Sequence, residues 1–218
     1  LMPAFALFFP VPEAVAMTAV VHLLNNLFKL ALLGRKASRE VVLKFGVPAV
    51  LGAAAGAGLM AWMDGWPPLY TYSIGSRVCE ITAIKLVIAV VMIGFAAFEA
   101  FEPPPSGDAP VLQGSRLAMG GVASGFFGGL SGHQGSLRSM FLLRAGLEKS
   151  AFIASGVVVA CMVDVTRLGV YGGHFATAGL GANAGLLVLA CVAAFVGAFA
   201  GAKLLAKTTY ENVRAVVL

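Results

Sequence analysis

Residues 114–146 read GSRLAMGGVASGFFGGLSGHQGSLRSMFLLRAG. These 33 residues are too many for one untilted membrane span at about 1.5 Å per residue. Their middle, GGLSGHQGS at 128–136, is glycine-rich and polar. The pattern predicts a broken helix, with one arm at 114–130, a non-helical turn, and a short second arm at 136–146. Backbone freed by such a break is tolerated at membrane depth only where it lines a cavity or is buried in protein.

The flanking sequence supplies the membrane. Of 218 residues, 59% are hydrophobic and 11% charged, and the mean hydropathy is +0.91. A soluble domain is about 25% charged. That deficit excludes a soluble globular enzyme and a disordered chain. The net charge of +5 does not support nucleic-acid binding, because the basic residues are scattered between apolar runs instead of sharing one polar face. A polytopic, all-α membrane protein remains. The 27 glycines suit close helix approach in a bilayer. Cys79, Cys161 and Cys191 lack metal-ligand spacing and read as small apolar core residues.

A span needs about 20 mostly apolar residues. Residues 14–33, 45–63, 80–101 and 183–205 qualify, and 150–170 does so except for Asp164 and Arg167 near its end. The opening run LMPAFALFF is half a span, and the closing VRAVVL reads as the first turns of a helix. Both ends are therefore expected to continue beyond the sequence. The linker 102–115 holds four of the ten prolines and divides the chain into halves at 1–101 and 116–218. Loop 34–44 carries Arg35, Lys36, Arg39 and Lys44 against Glu40, which the positive-inside rule places in the cytoplasm. Loop 64–79, with Asp64 and Arg77, would then lie on the opposite side, with Trp62 and Trp66 at the interface.

An internal repeat fits this division. GAAAGAGL at 52–59 matches GAFAGAKL at 197–204 at an offset of 145. Residues 14–18 align with 151–155 at an offset of 137, and 84–88 resembles 213–217. The expected unit is a broken or re-entrant helix followed by three transmembrane helices, an arrangement used by secondary transporters with substrate at the repeat interface. Parallel and inverted repeats both remain open. Gly52/Gly56 and Gly197/Gly201 are expected to serve close helix packing.

Residues 125–171 resemble the second-half motif of the sulfite exporter TauE/SafE family. That pattern is a glycine-rich turn, then proline and leucine, then a short loop and A-x-x-[ST]. The first half supplies Pro3, Leu7, Ala14 and Thr18. The second supplies Gly125, Gly128, Gly129, Gly132, Gly135, Leu142, Ala151 and Ser155. The chain departs from the pattern at Gly132-His133-Gln134-Gly135, which no proline follows; Arg138 and Ser139 stand there instead. The resemblance implies a duplicated protein of about eight helices that passes a small oxyanion or organosulfonate across the membrane, coupled to an ion gradient.

An ionisable group inside a span needs a reason. Ser131, Gly132, His133, Gln134, Gly135, Ser136 and Arg138 cluster at the break, where the N-terminus of a new helix offers free amides and partial positive charge to an anion. These groups either line a substrate site or satisfy one another. Asp164 and Arg167, three apart, form a candidate ion pair, with snorkelling the alternative for Arg167. Asp164 is the candidate for proton coupling. His22, Asn25, Asn26 and Lys29 share one helix face and serve either interhelical hydrogen bonding or the transport pathway. Thr18 and Ser155, equivalent in the halves, contact an anion or bond back to their own helix. Lys85 and Arg144 read as snorkelling, and His174 as a loop residue. No HExxH, GxSxG or P-loop is present, and no cofactor or metal motif. The expected partners are a small anionic substrate, a coupling ion (the proton being the candidate) and the lipid bilayer. A membrane scaffold, and an enzyme using His133 and Asp164, are the alternatives.

Overall fold

The computed structural model describes residues 4–5, 8–9, 11–63, 65–75, 77–101, 112, 114–132, 134–175 and 184–207. Helix α1 (Val11–Leu33) runs into a 3-10 turn at Gly34–Lys36. Helix α2 (Arg39–Met63) starts with one α turn, passes through a π-helical turn at Val42–Gly46, and continues as α-helix from Val47. Strands β1 (Tyr70–Ile74) and β2 (Arg77–Ile81) form a hairpin. Helices α3 (Ala83–Phe101), α4 (Ser115–Ser131), α5 (Gly135–Leu143), α6 (Lys149–Phe175) and α7 (Ala184–Lys207) complete the described fold.

Arg39–Met63, Lys149–Val170 and Ala184–Gly201 are long and apolar enough to cross a membrane, with shorter apolar helices at Met17–Leu32 and Ala83–Gly94. The protein is a mainly helical membrane protein. The hairpin corrects the all-α expectation. Tyr70 pairs with Ile81, Tyr72 with Cys79 and Ile74 with Arg77 around a turn containing Gly75 at φ 61°. Positive φ at that place is what a two-residue hairpin loop requires, and glycine adopts it without strain. Cys79 therefore lies on a strand and is only half-buried, whereas Cys161 and Cys191 are buried as expected. The basic loop is shorter than 34–44, because helix resumes at Arg39. His174 falls in the last turn of α6 rather than in a loop.

The start of α2 is fixed from two sides. Ser38 Oγ accepts from the Val41 amide, and the Ser38 amide donates to Ser155 Oγ on α6 at 2.9 Å. The π turn lies just before Pro48, whose ring would clash with the carbonyl of residue 44 in an unbroken α ladder. Widening that turn removes the clash and leaves Leu43 and Lys44 exposed while Phe45 and Gly46 are buried.

The closest helix pair is α2 with α4. On α2, Gly52 and Gly56 face the carbonyls of Val122 and Phe126; on α4, Gly121, Gly125 and Gly129 face those of Phe45, Ala49 and Ala53. A Cβ at any of these five glycines would overlap the opposing oxygen, so the contact exists only because all five lack one. The expectation for Gly52 and Gly56 holds. Gly197 and Gly201 differ: nothing among the described residues lies within 4 Å of where their Cβ atoms would be.

A core of Val41, Phe45, Ala49, Leu117, Leu142 and Phe152, among others, joins α2, α4, α5 and α6. Helix α1 packs on α6 and α7, and α2 packs on α6 as well as on α4.

Candidate functional site

The break falls where the sequence places it. Helix α4 ends at Gly132, whose φ of 78° is left-handed and whose amide donates to Gly128 O at 2.9 Å. That is a common helix stop and favours glycine. Helix α5 starts three residues later at Gly135, with Gln134 as its N-cap. Ser124 Oγ, fully buried on α4, donates to Gln134 O at 3.4 Å and ties the two arms together.

Gln134 is buried, and its Oε1 has no hydrogen-bond partner among the described residues. Ser131 Oγ donates back to Phe127 O at 3.1 Å. Gly135 is exposed and Ser136 half-buried in the first turn of α5. His133 lies outside the described residues, as do Pro3, Leu7, Asp64, the repeat segment 213–217 and nearly all of the linker 102–115.

Two arginines converge on this break. Arg167, on α6, is 1% exposed, which overturns snorkelling as its explanation. Its Nη2 pairs with Asp164 Oδ1 at 3.0 Å, and its Nη1 lies 2.5 Å from where a Gly132 Cβ would be. The guanidinium therefore occupies the space that glycine leaves at the end of α4. The pair with Asp164 lacks hydrogen-bond geometry, and none of Nε, Nη1 and Nη2 has a hydrogen-bond partner among the described residues. Arg138, on α5, lies along Gly156 of α6, with Nε 3.6 Å from that glycine's Cβ position, and its buried Nη1 is likewise without a partner.

Helix α1 closes the other side. Asn26 Nδ2 donates to Asp164 Oδ2 at 2.8 Å, so the two oxygens of one buried carboxylate are held by residues from different helices. With its amide oriented to satisfy both neighbours, Asn25 donates to Ala194 O on α7 at 3.1 Å and accepts from Lys29 Nζ at 3.2 Å. The charges of Arg138, Arg167 and Lys29 all act on the half-buried His22 imidazole, and Arg138 acts on Lys29 and Asp164. Two of these cations, Arg167 and Arg138, act on the one carboxylate, Asp164.

The hydroxyls of Thr18 and Ser155 are both buried. Ser155 accepts from the Ser38 amide, while Thr18 Oγ1 has no partner among the described residues. Among the described residues neither shows the bond to its own helix that was the alternative for it. Lys85 Nζ donates to Glu80 O at 2.8 Å, holding the hairpin to the start of α3. Ser124 and Gly156 were not singled out from the sequence. Gly156 had a signal, since it sits one residue after Ser155 on a helix otherwise rich in branched side chains. Ser124 had none, because a lone serine in a glycine-rich helix looks like one more small residue.

No group of three or more histidines, cysteines, aspartates or glutamates able to hold a metal occurs among the described residues. No curated protein and no solved structure matches the chain. The family described as Sulfite exporter TauE/SafE matches residues 1–218. Since that match covers the whole length of a sequence already marked by apolar helices and a glycine break, the chain belongs to the sulfite exporter TauE/SafE family.

Proposed function

We propose that the protein is a secondary transporter that moves a small anion, namely sulfite, an organosulfonate or a related oxyanion, across the cytoplasmic membrane. One observation carries the reading: Arg167 lies against the end of α4 and Arg138 stands in the first turn of α5, each with a buried N–H group lacking an acceptor among the described residues. Buried donors of this kind are costly unless something accepts from them, and an oxyanion offers several strong acceptors to a guanidinium fork. The excess of cations over carboxylates gives such a ligand a favourable field. Substrate would lie against Ser131, Gly132, His133, Gln134, Gly135, Ser136 and Arg138, with Thr18 and Ser155 nearby. His22, Asn25, Asn26, Lys29, Asp164 and Arg167 would form the pathway.

The halves at 1–101 and 116–218 act as repeats in this proposal. Support comes from packing: α2 rests on α6, and its sequence counterpart α7 rests on α1, the counterpart of α6. Loop 34–44 would face the cytoplasm, and accessibility of a cysteine placed at the exposed Lys36 would report its side.

The test is thermal stability of the purified full-length protein with sulfite, sulfate, thiosulfate, sulfoacetate and simple carboxylates. A ligand that binds only the folded state raises stability by about 2.7 kcal/mol at a hundredfold excess over its dissociation constant. A shift with one oxyanion that vanishes in Arg138→Ala, itself folded, supports the transporter. No shift with any anion overturns it in favour of a scaffold.

A further inference from the structure

Asp164 is fully buried, yet it is not simply one half of an ion pair. Oδ1 takes Arg167 and Oδ2 takes Asn26. Arg167 meets the carboxylate through Nη2 as an ion pair without hydrogen-bond geometry, and Nε, Nη1 and Nη2 are all without a hydrogen-bond acceptor among the described residues, with Nη1 against the end of α4. A carboxylate is chemically an oxyanion. It therefore occupies one edge of the guanidinium in the way a substrate oxyanion would.

We infer that Asp164 is an internal competitor of the transported anion for Arg167, positioned by Asn26, and that its displacement by substrate couples anion binding to uptake of one proton. The inference rests on the transporter proposal and specifies its coupling. When an oxyanion bonds to Arg167, the Arg167–Asp164 ion pair breaks. The released carboxylate is buried and retains only the Asn26 amide, so it takes a proton from water. The anion brings negative charge in and the proton offsets one unit of it. When the anion leaves, Asp164 gives the proton back and re-forms the pair. No oxidant or further reactant is needed.

The groups around Asp164 agree with this exchange. Helix α1 contributes Asn26, with His22 and Lys29 on the same face. Helix α5 contributes Arg138, and α6 itself contributes Arg167 and Cys161. The charged residues of α2 (Arg39, Glu40, Lys44) and of α4 (Arg116) are exposed. Asp164 is thus the one carboxylate among the described residues placed to trade with an anion at Arg167.

The experiment uses full-length protein in liposomes, with thiosulfate, sulfate and methanesulfonate as probes because each keeps a constant charge through the titration. For wild type, anion affinity should rise about tenfold for each unit that pH falls, as linkage to one proton requires. Anion entry should carry one proton, read by a trapped pH dye. In Asp164→Asn the anion affinity should become flat with pH, and whatever anion flux remains should carry no proton. Asp164→Glu should restore the coupling. Anion flux with unchanged proton movement in Asp164→Asn overturns the inference and leaves the transporter intact; no flux of any probe in wild type overturns both. Should the asparagine variant fail to fold, infrared difference spectra of wild type decide. Appearance of a protonated carboxyl C=O band on adding the anion supports the exchange, and its absence overturns it.

Discussion

Gly132 carries two constraints in one residue. Its backbone is left-handed, and its missing Cβ is where the Arg167 guanidinium rests. Gly132→Ala should lower stability by about 1–2 kcal/mol from the backbone alone, and should also move Arg167 and weaken anion binding. Gly135→Ala should leave stability nearly unchanged, since its backbone is not left-handed and nothing lies within 4 Å. Thermal unfolding of both variants, with and without anion, separates the effects. The sequence made the break legible at this scale, because a polar glycine run inside an apolar stretch has few other uses. It did not reveal which residue fills the space. Asp164 and Arg167 were recognisable as a pair from their spacing, but their burial depends on how α1 and α4 lie across α6, which periodicity does not encode.

Among the elements, the α2–α4 contact is the tightest joint in the molecule. Its five glycines alternate between two helices so that each helix backbone reaches the other. Gly125→Ala, in the middle of that joint, should push the helices apart and cost several kcal/mol, whereas Gly201→Ala on α7 should be neutral or slightly stabilising, since alanine favours helix by about 1 kcal/mol. Unfolding of the two variants in the same detergent tests the contrast. The motif at 52–59 disclosed one side of the joint. The other side was hidden, because Gly125 and Gly129 had already been assigned to the family's glycine-rich turn and the same residues serve both purposes. The hairpin at Tyr70–Ile81 was missed although a Gly-Ser pair stands between two short β-favouring runs; the polar look of 64–79 outweighed that signal.

At the scale of the whole molecule, the glycine joint constrains how the protein can move. It fastens α2 of the first half to α4 of the second, so a simple rocking of 1–101 against 116–218 would have to break the best-packed contact in the fold. Helix α1 makes its own junctions with α6 and α7, where the contacts include the polar bonds of Asn25 and Asn26. The outer face of α7 carries Val188, Leu189, Val192, Val196 and Phe199, all exposed, as a lipid-facing surface would. Val196→Asp, near the middle of that helix, should reduce insertion by about 3 kcal/mol, measurable as the inserted fraction in membranes. Three of the five expected spans, 45–63, 150–170 and 183–205, were legible from hydropathy alone, while 14–33 and 80–101 correspond to shorter apolar helices. The packing of α2 on α4 was not legible.

The π turn at Val42–Gly46 has a consequence for chain length. A π turn holds one residue more than an α turn, so the helix on either side keeps the phase it would have if one residue were absent. Removing the exposed Leu43 would restore a plain α ladder without turning Gly52 and Gly56 away from α4, but it would also return Pro48 to its clash, at a cost of about 3 kcal/mol. Removing Leu43 together with Pro48→Ala should therefore give a chain that melts near wild type. Removing the equally exposed Leu51 should not, because everything after it rotates by about 100°. In this helix, tolerance of a one-residue deletion depends on a proline five positions away.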